Sequence, residues 1–205
     1  MNAFEVDCAT GGATCDPIWR GNLHGGNMVG QSVASPAVGG GVVYVGTYAG
    51  TFYAFPTSCR NTGPDCEPLW TADMPREILA SAAVTDTTVY VAAGQRLYAF
   101  AVGCGSNGES CNPLWRTRRL ATGPGDLASS PAVANGVVYL GTHTMSQSNG
   151  RLVAFPSECG KGGAICDRLW RSPLLAGLVN SSPAVAHGMV YVSSNSGHTY
   201  AFGLD

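Results

Sequence analysis

At 205 residues and a net charge of −2, the chain has room for one or two domains and carries no basic block suited to nucleic-acid phosphates. No run of 18 apolar residues occurs, so no segment reads as a membrane span. Charged residues make up only 12%, whereas 28 glycines and 12 prolines exceed the usual shares of about 7% and 5%, which predicts short strands joined by tight turns.

The first element is Asn2-Ala3-Phe4, followed by the loop Cys8 to Cys15 and a short apolar stretch, Pro17-Ile-Trp19. Next come Ser35-Pro-Ala-Val38, the turn Gly39-Gly-Gly41, the run Val42-Val-Tyr-Val45 and the run Phe52-Tyr-Ala-Phe55. A second Cys loop, Cys59 to Cys66, leads to Trp70. The whole series then recurs. Ser81-Ala-Ala-Val84, Val89-Tyr-Val91, Leu97-Tyr-Ala-Phe100, Cys104 to Cys111 and Trp115 form one further copy. Ser130-Pro-Ala-Val133, Val137-Val-Tyr-Leu140, Leu152-Val-Ala-Phe155, Cys159 to Cys166 and Trp170 form another. Ser182-Pro-Ala-Val185, Met189-Val-Tyr-Val192 and Thr199-Tyr-Ala-Phe202 end the chain without a Cys loop.

The Ala-Phe alanines Ala3, Ala54, Ala99, Ala154 and Ala201 are spaced by 51, 45, 55 and 47 residues. No apolar run reaches helical length or keeps a 3.6-residue period. Four short strands every 40 to 50 residues or so predict an all-β fold of propeller blades. The blades are expected at about 32–72, 78–117, 128–172 and 180–205, with 14–20 supplying the outer strand of the last. Small Ser-Pro-Ala-Val residues suit the crowded inner strand, and proline suits its edge position. Trp and Phe suit the wider space further out.

The pattern Ser-Pro-Ala-Val, Val-Val-Tyr-Val-Gly, Tyr-Ala-Phe and a closing Trp resembles the PQQ-like (pyrroloquinoline-quinone-type) propeller repeat. It covers essentially the whole chain, although a Cys-bearing loop replaces the family's usual Thr-Gly segment. The resemblance implies four-stranded antiparallel blades, and in the family's enzymes PQQ with calcium at the centre of an eight-bladed ring. Several of those enzymes carry a disulfide between adjacent cysteines. No Cys-Cys dipeptide stands here, so the expectation is a non-catalytic member without cofactor, with a quinoprotein dehydrogenase fragment or an excised or designed repeat array as alternatives.

The repeat singles out the pairings Cys8–Cys15, Cys59–Cys66, Cys104–Cys111 and Cys159–Cys166 as disulfides, one per loop. Six intervening residues on separate blades serve zinc poorly. Disulfides predict an extracytoplasmic protein, and since Met1-Asn-Ala-Phe-Glu is no secretory signal, a leader is expected upstream. The recurring Ser35, Ser81, Ser130 and Ser182 read as structural, and His24, His143, His187 and His198 as surface or turn residues without metal-ligand spacing.

Two loop sets are expected on one end of the propeller, and variable loops on a rigid scaffold are where recognition resides. The candidate binding residues there are His24, Asn27, Gln31, Arg76 and Arg119 in one set, and Tyr48, His143, Asn195 and His198 in the other. A protein or glycan ligand is the expected partner. The two chain ends share one phase of the repeat, which leaves three outcomes: a closed four-bladed ring, a homodimer completing an eight-bladed ring, or part of a longer propeller.

Overall fold

The computed structural model describes residues 1–8, 12, 14–23, 32, 34–59, 65–120, 129–143 and 148–204, with Thr144 in backbone only. Among the described residues every regular element is a strand. The first two, β1 (Asn2–Ala3) and β2 (Trp19–Gly21), pair antiparallel with Ala3 opposite Trp19. The first full unit holds β3 (Ala37–Gly39), β4 (Val42–Gly46), β5 (Thr51–Pro56), the short β6 (Asp65–Cys66) and β7 (Trp70–Asp73). The second holds β8 (Ala83–Val84), β9 (Thr88–Ala93), β10 (Arg96–Ala101), β11 (Glu109–Ser110) and β12 (Trp115–Thr117). The third holds β13 (Ala132–Ala134), β14 (Val137–Thr144), β15 (Asn149–Pro156), β16 (Ala164–Cys166), β17 (Trp170–Arg171) and β18 (Leu175–Ala176). The last holds β19 (Ala184–Ala186), β20 (Met189–Ser193) and β21 (Thr199–Gly203).

Within each full unit the order from inside to outside is inner strand, second, third and outer, all antiparallel. The inner hairpins turn through paired positive-φ residues, Gly40-Gly41, Asn135-Gly136 and His187-Gly188. That is the geometry of a two-residue turn matched to strand twist, and it explains why a histidine stands at 187. Inner strands of successive units are neighbours, β3 against β8, β8 against β13 and β13 against β19.

The sheets stack face to face, so their middle strands are covered on both sides. All five positions of β4 and all six of β9 are buried. Such strands are apolar without alternation. In the last unit, by contrast, β20 and β21 alternate between more and less exposed positions because one face is open. The core is a series of apolar layers, one between each pair of adjacent units.

Tryptophan ties each layer together. The Trp70 indole N–H donates to the Val102 carbonyl of the next unit at 3.3 Å, and the Tyr44 hydroxyl donates to the same oxygen at 3.5 Å. Trp115 and Tyr90 repeat this on Ser157 O at 3.2 and 3.1 Å. The Trp70 ring also meets Phe52 edge-on and packs at 5.7 Å from Phe100 of the neighbouring sheet.

The four predicted disulfides are present, with Cα separations of 5.4 to 6.0 Å. Their loops do something the sequence pattern did not predict. The second cysteine's segment leaves its own unit and adds a parallel strand to the outer edge of the preceding one: β6 on β2, β11 on β7 and β16 on β12. The sheets of the first and second units are thereby five-stranded instead of four-stranded.

One expectation is corrected. Residues 14–20 do not complete the unit of Ser182 to Phe202 within this chain; Trp19–Gly21 lies on Asn2–Ala3, and β21 keeps a free edge among the described residues. Asn2-Ala3 is itself third-strand sequence. It makes the bond that every unit makes at this point, Ile18 N–H to Ala3 O at 2.8 Å, equivalent to Leu69 to Ala54 and Leu114 to Ala99. Closing a short loop already pinned by Cys8–Cys15 costs less chain entropy than reaching the far end of the chain.

Trp115→Phe is expected to destabilise the protein by roughly 2 kcal/mol, about half from the lost hydrogen bond and the rest from lost ring volume. Trp170 is only half-buried and its indole N–H makes no hydrogen bond among the described residues, so Trp170→Phe is expected to cost less than about 1 kcal/mol. Urea midpoints of the two variants measure both; equal costs would contradict the shared-carbonyl account.

Candidate functional site

The seam between units begins at the inner strands. Ser35 N–H donates to Ser81 Oγ at 3.0 Å, Ser81 N–H to Ser130 Oγ at 3.0 Å, and Ser130 N–H to Ser182 Oγ at 3.3 Å. The recurring serines are therefore links in one chain of inter-unit hydrogen bonds. The hydroxyls of Ser81, Ser130 and Ser182 are each occupied by the backbone of the unit before, as a structural role requires.

Both expected loop sets meet on one face. Ile78 N–H donates to Thr47 O at 3.1 Å and Met74 N–H to Gly50 O at 2.9 Å, which fastens the segment entering the second unit to the β4–β5 turn. Gly94 N–H to Glu77 O, Leu120 N–H to Gln95 O and Asn195 N–H to Leu178 O repeat the theme further along. Gly50 has φ +92°, and an added Cβ would stand 2.6 Å from the Met74 carbonyl, so the turn admits only glycine.

The candidate residues divide on this face. Tyr48 is exposed at the tip of the β4–β5 turn. Arg76 sits 3.8 Å from Glu77, and both Arg76 and Arg119 line clefts between units. Asn195 is exposed, its Oδ1 accepting the Leu178 N–H at 2.7 Å. His198 is exposed, with Nδ1 3.0 Å from Ser196 Oγ. His143 is not a loop residue: it is buried in β14 opposite Gly150, because the β14–β15 hairpin continues through Thr144 and Asn149. His24, Asn27 and Gln31 lie outside the described residues. The sequence reading missed Arg96, Arg151, Arg168 and Arg171, which stand beside Arg119 and Arg76 in the clefts. Only their shared residue type could have signalled them.

Burial governs the titration of the tyrosines. Tyr44 is pushed up to about 12 by loss of hydration. Tyr98 is also raised by burial, against the opposing pull of the Arg96 and Arg116 charges. Tyr53, Tyr90 and Tyr139 are raised for the same first reason.

Stacked antiparallel sheets joined through inner-strand serines and outer tryptophans define a β-propeller of PQQ-like repeats. The sequence family described as outer membrane protein assembly factor BamB matches residues 6–204, and the chain belongs to it. A comparison with curated proteins returns no match. Among solved structures, the computationally designed Ika4 protein superposes with a TM-score of 0.65 at 13% identity, covering 90% of this chain and 97% of that one. BamB from Moraxella catarrhalis gives 0.57 at 16% identity, over 84% of this chain and 47% of its own. Quinohemoprotein alcohol dehydrogenase from Comamonas testosteroni gives 0.59 at 18% identity, over 79% and 29%. The chain thus spans about half of that BamB and under a third of the dehydrogenase.

Because the folded-state value of Tyr44 lies above the unfolded 10, its contribution to stability is complete below pH 10 and is lost as pH rises toward 12. Denaturation midpoints measured from pH 9 to 12 are expected to fall, with a shallower fall for Tyr44→Phe. An unchanged slope in that variant would show that Tyr44 titrates normally.

Proposed function

We propose that this chain is a non-catalytic, extracytoplasmic propeller scaffold that binds a protein or glycan partner through its loop face. One observation carries the reading. The side chains that recur in phase, the serines, tyrosines, tryptophans and cysteines, are spent on joining units. Those that break the repeat, Tyr48, Arg76, Arg119 and His198 among them, collect where the two loop sets meet. Disulfides persist outside the cytosol, and the matching family carries the description of an assembly factor, a role exercised through contacts with other molecules.

The scaffold works without a quinone cofactor on this reading. PQQ and calcium, which the propeller family implies, need a converging set of acid and amide ligands. Among the described residues no three His, Cys, Asp or Glu side chains come together, and all eight cysteines lie in the loop disulfides. The donor set does not fit, so no chemical step is derived through the pair.

The same reading extends to assembly. Among the described residues the Ser35 hydroxyl accepts no bond of the kind that Ser81, Ser130 and Ser182 accept, β21 has a free edge, and Phe4 and Val6 are 53% and 100% exposed where the equivalent Phe100 is 1% exposed. A second copy arranged head to tail meets all three needs. Once its β1 leaves β2, whose two edges β1 and β6 otherwise occupy, its Trp19 would face Ala201 and its Arg20 would face Tyr200, in the register that Trp115 and Arg116 take on Ala99 and Tyr98. The result is a symmetric ring with no open sheet edge.

Photo-reactive residues at Tyr48 and Asn195 are expected to cross-link a discrete partner in the native envelope, and one at Lys161, on a Cys loop, is not. Adducts from Lys161 alone, or none from the loop face, would refute the binding-face reading. Light scattering of the purified chain is expected to give twice the monomer mass; a strict monomer would refute the ring.

A further inference from the structure

We propose that the loop face binds an acidic polysaccharide along a track of arginines that runs through two equivalent clefts. This deepens the binding-face reading and rests on it. The first cleft, about 210 Å³ between the first and second units, is lined by Arg76, Gln95, Arg96, Tyr98 and Arg119. The second, about 300 Å³ between the second and third units, is lined by Arg119, Thr142, Asn149, Arg151, Arg168 and Arg171. The two are one site repeated. Arg96, the first residue of β10, stands opposite Ala93, and Arg151, the third residue of β15, stands opposite Thr142. Each donates from Nη1 to an outer-strand carbonyl at 2.6 Å, Thr117 O and Ser172 O. Arg119 belongs to both linings and so joins them.

Positive charge is in excess on the track. Six of the ten arginines stand on it, although the chain as a whole is net negative. Neither lining contains an aspartate or glutamate among the described residues. Glu77 stands beside Arg76 at the margin, and Asp167 is taken by Arg118, which lies outside both linings. Arg119, Arg168 and Arg171 make no ion pair among the described residues. A second observation is independent of charge. Tyr98 is 5% exposed, forms part of the first cleft's wall, and its buried hydroxyl has no hydrogen-bond partner among the described residues. Buried hydroxyls are ordinarily satisfied, and an incoming ligand oxygen would satisfy this one.

The chemistry selects the ligand. Guanidinium forks match the paired oxygens of carboxylates and sulfates. Asn149, half-buried in the second lining, supplies an amide of the kind that sugar hydroxyls need. Face-to-face sheets are separated by about 10 Å, so sites repeated at successive interfaces suit a chain whose charge recurs once per disaccharide. Nucleic acid is poorly served. Single strands bind by stacking bases on exposed aromatic rings, and the one aromatic residue in either lining, Tyr98, is buried.

The test uses the full chain with labelled hexasaccharides of a heparin-type sulfated glycan and of polygalacturonate, with dextran as the neutral control. Fluorescence anisotropy is expected to show binding of the acidic sugars and none of dextran. Raising salt from about 0.1 M to 1 M, where screening shortens from about 10 Å to 3 Å, is expected to weaken it strongly. Arg119→Gln, which removes the residue common to both clefts, is expected to weaken binding by about tenfold or more. Arg171→Gln should weaken it less, and Arg20→Gln, on β2 away from the clefts, not at all. Near-UV circular dichroism verifies that each variant is folded. Absence of binding to both sugars, equal losses in Arg119→Gln and Arg20→Gln, or an oligonucleotide of equal charge binding as tightly would each overturn the proposal. Cross-links from Tyr48 and Asn195 without sugar binding would leave the scaffold reading intact and remove this one.

Discussion

At the interfaces of the first unit with the second and of the second with the third, the arrangement depends on a single carbonyl shared by a tyrosine and a tryptophan from the neighbouring unit. Val102 O and Ser157 O each accept two such donors across the gap between sheets. An indole and a phenol bury large apolar surfaces, but each carries one polar atom that must find a partner inside. Placing both donors on one acceptor at the far side of the gap fixes the separation and rotation of one sheet against the next. Every other repeated feature follows from that spacing. The middle strands are covered on both faces and must be apolar throughout. The inner strands come close enough for serine hydroxyls to reach the next backbone.

The cysteine loops solve a different problem. An outer strand such as β7 or β12 would expose a row of unpaired backbone groups, which invites pairing with foreign chains. The end of each cysteine loop from the following unit covers that edge with two or three parallel residues, and the disulfide holds a segment too short to persist alone. On the chain-entropy account each such ring contributes roughly 2–3 kcal/mol. The loops are thus clasps between units as well as staples within them.

Much of this was legible in the sequence, and the boundary is physical. Repeated apolar runs such as Val42-Val-Tyr-Val45 identified strands because period and composition are local properties. The cysteine pairing was legible because the same spacing recurs in register. The parallel pairing of Glu109–Ser110 with Trp70–Thr71 was not, since two exposed residues carry no pattern and their partner lies in another unit. His143 was misplaced because one hairpin is longer than its counterparts, and length is what repeat alignment treats as loop. Trp19 was assigned to the wrong partner because two third-strand segments compete for it, and sequence similarity cannot rank a nearby strand above a distant one.

The arginine clefts mark where repetition stops being structural. Arg96 and Arg151 occupy equivalent positions and make equivalent bonds, so each has a scaffold role that fixes its guanidinium. Arg119, Arg168 and Arg171 have no such partner among the described residues and lie on exposed loops or strands. A protein with so few charged residues gains nothing in solubility from crowding its cations together, because like charges at close range repel. Spread evenly, the same arginines would pair with the chain's more numerous carboxylates. Their concentration at two adjoining interfaces, beside an unsatisfied tyrosine hydroxyl, is a cost to the free scaffold that a ligand of opposite charge would reverse.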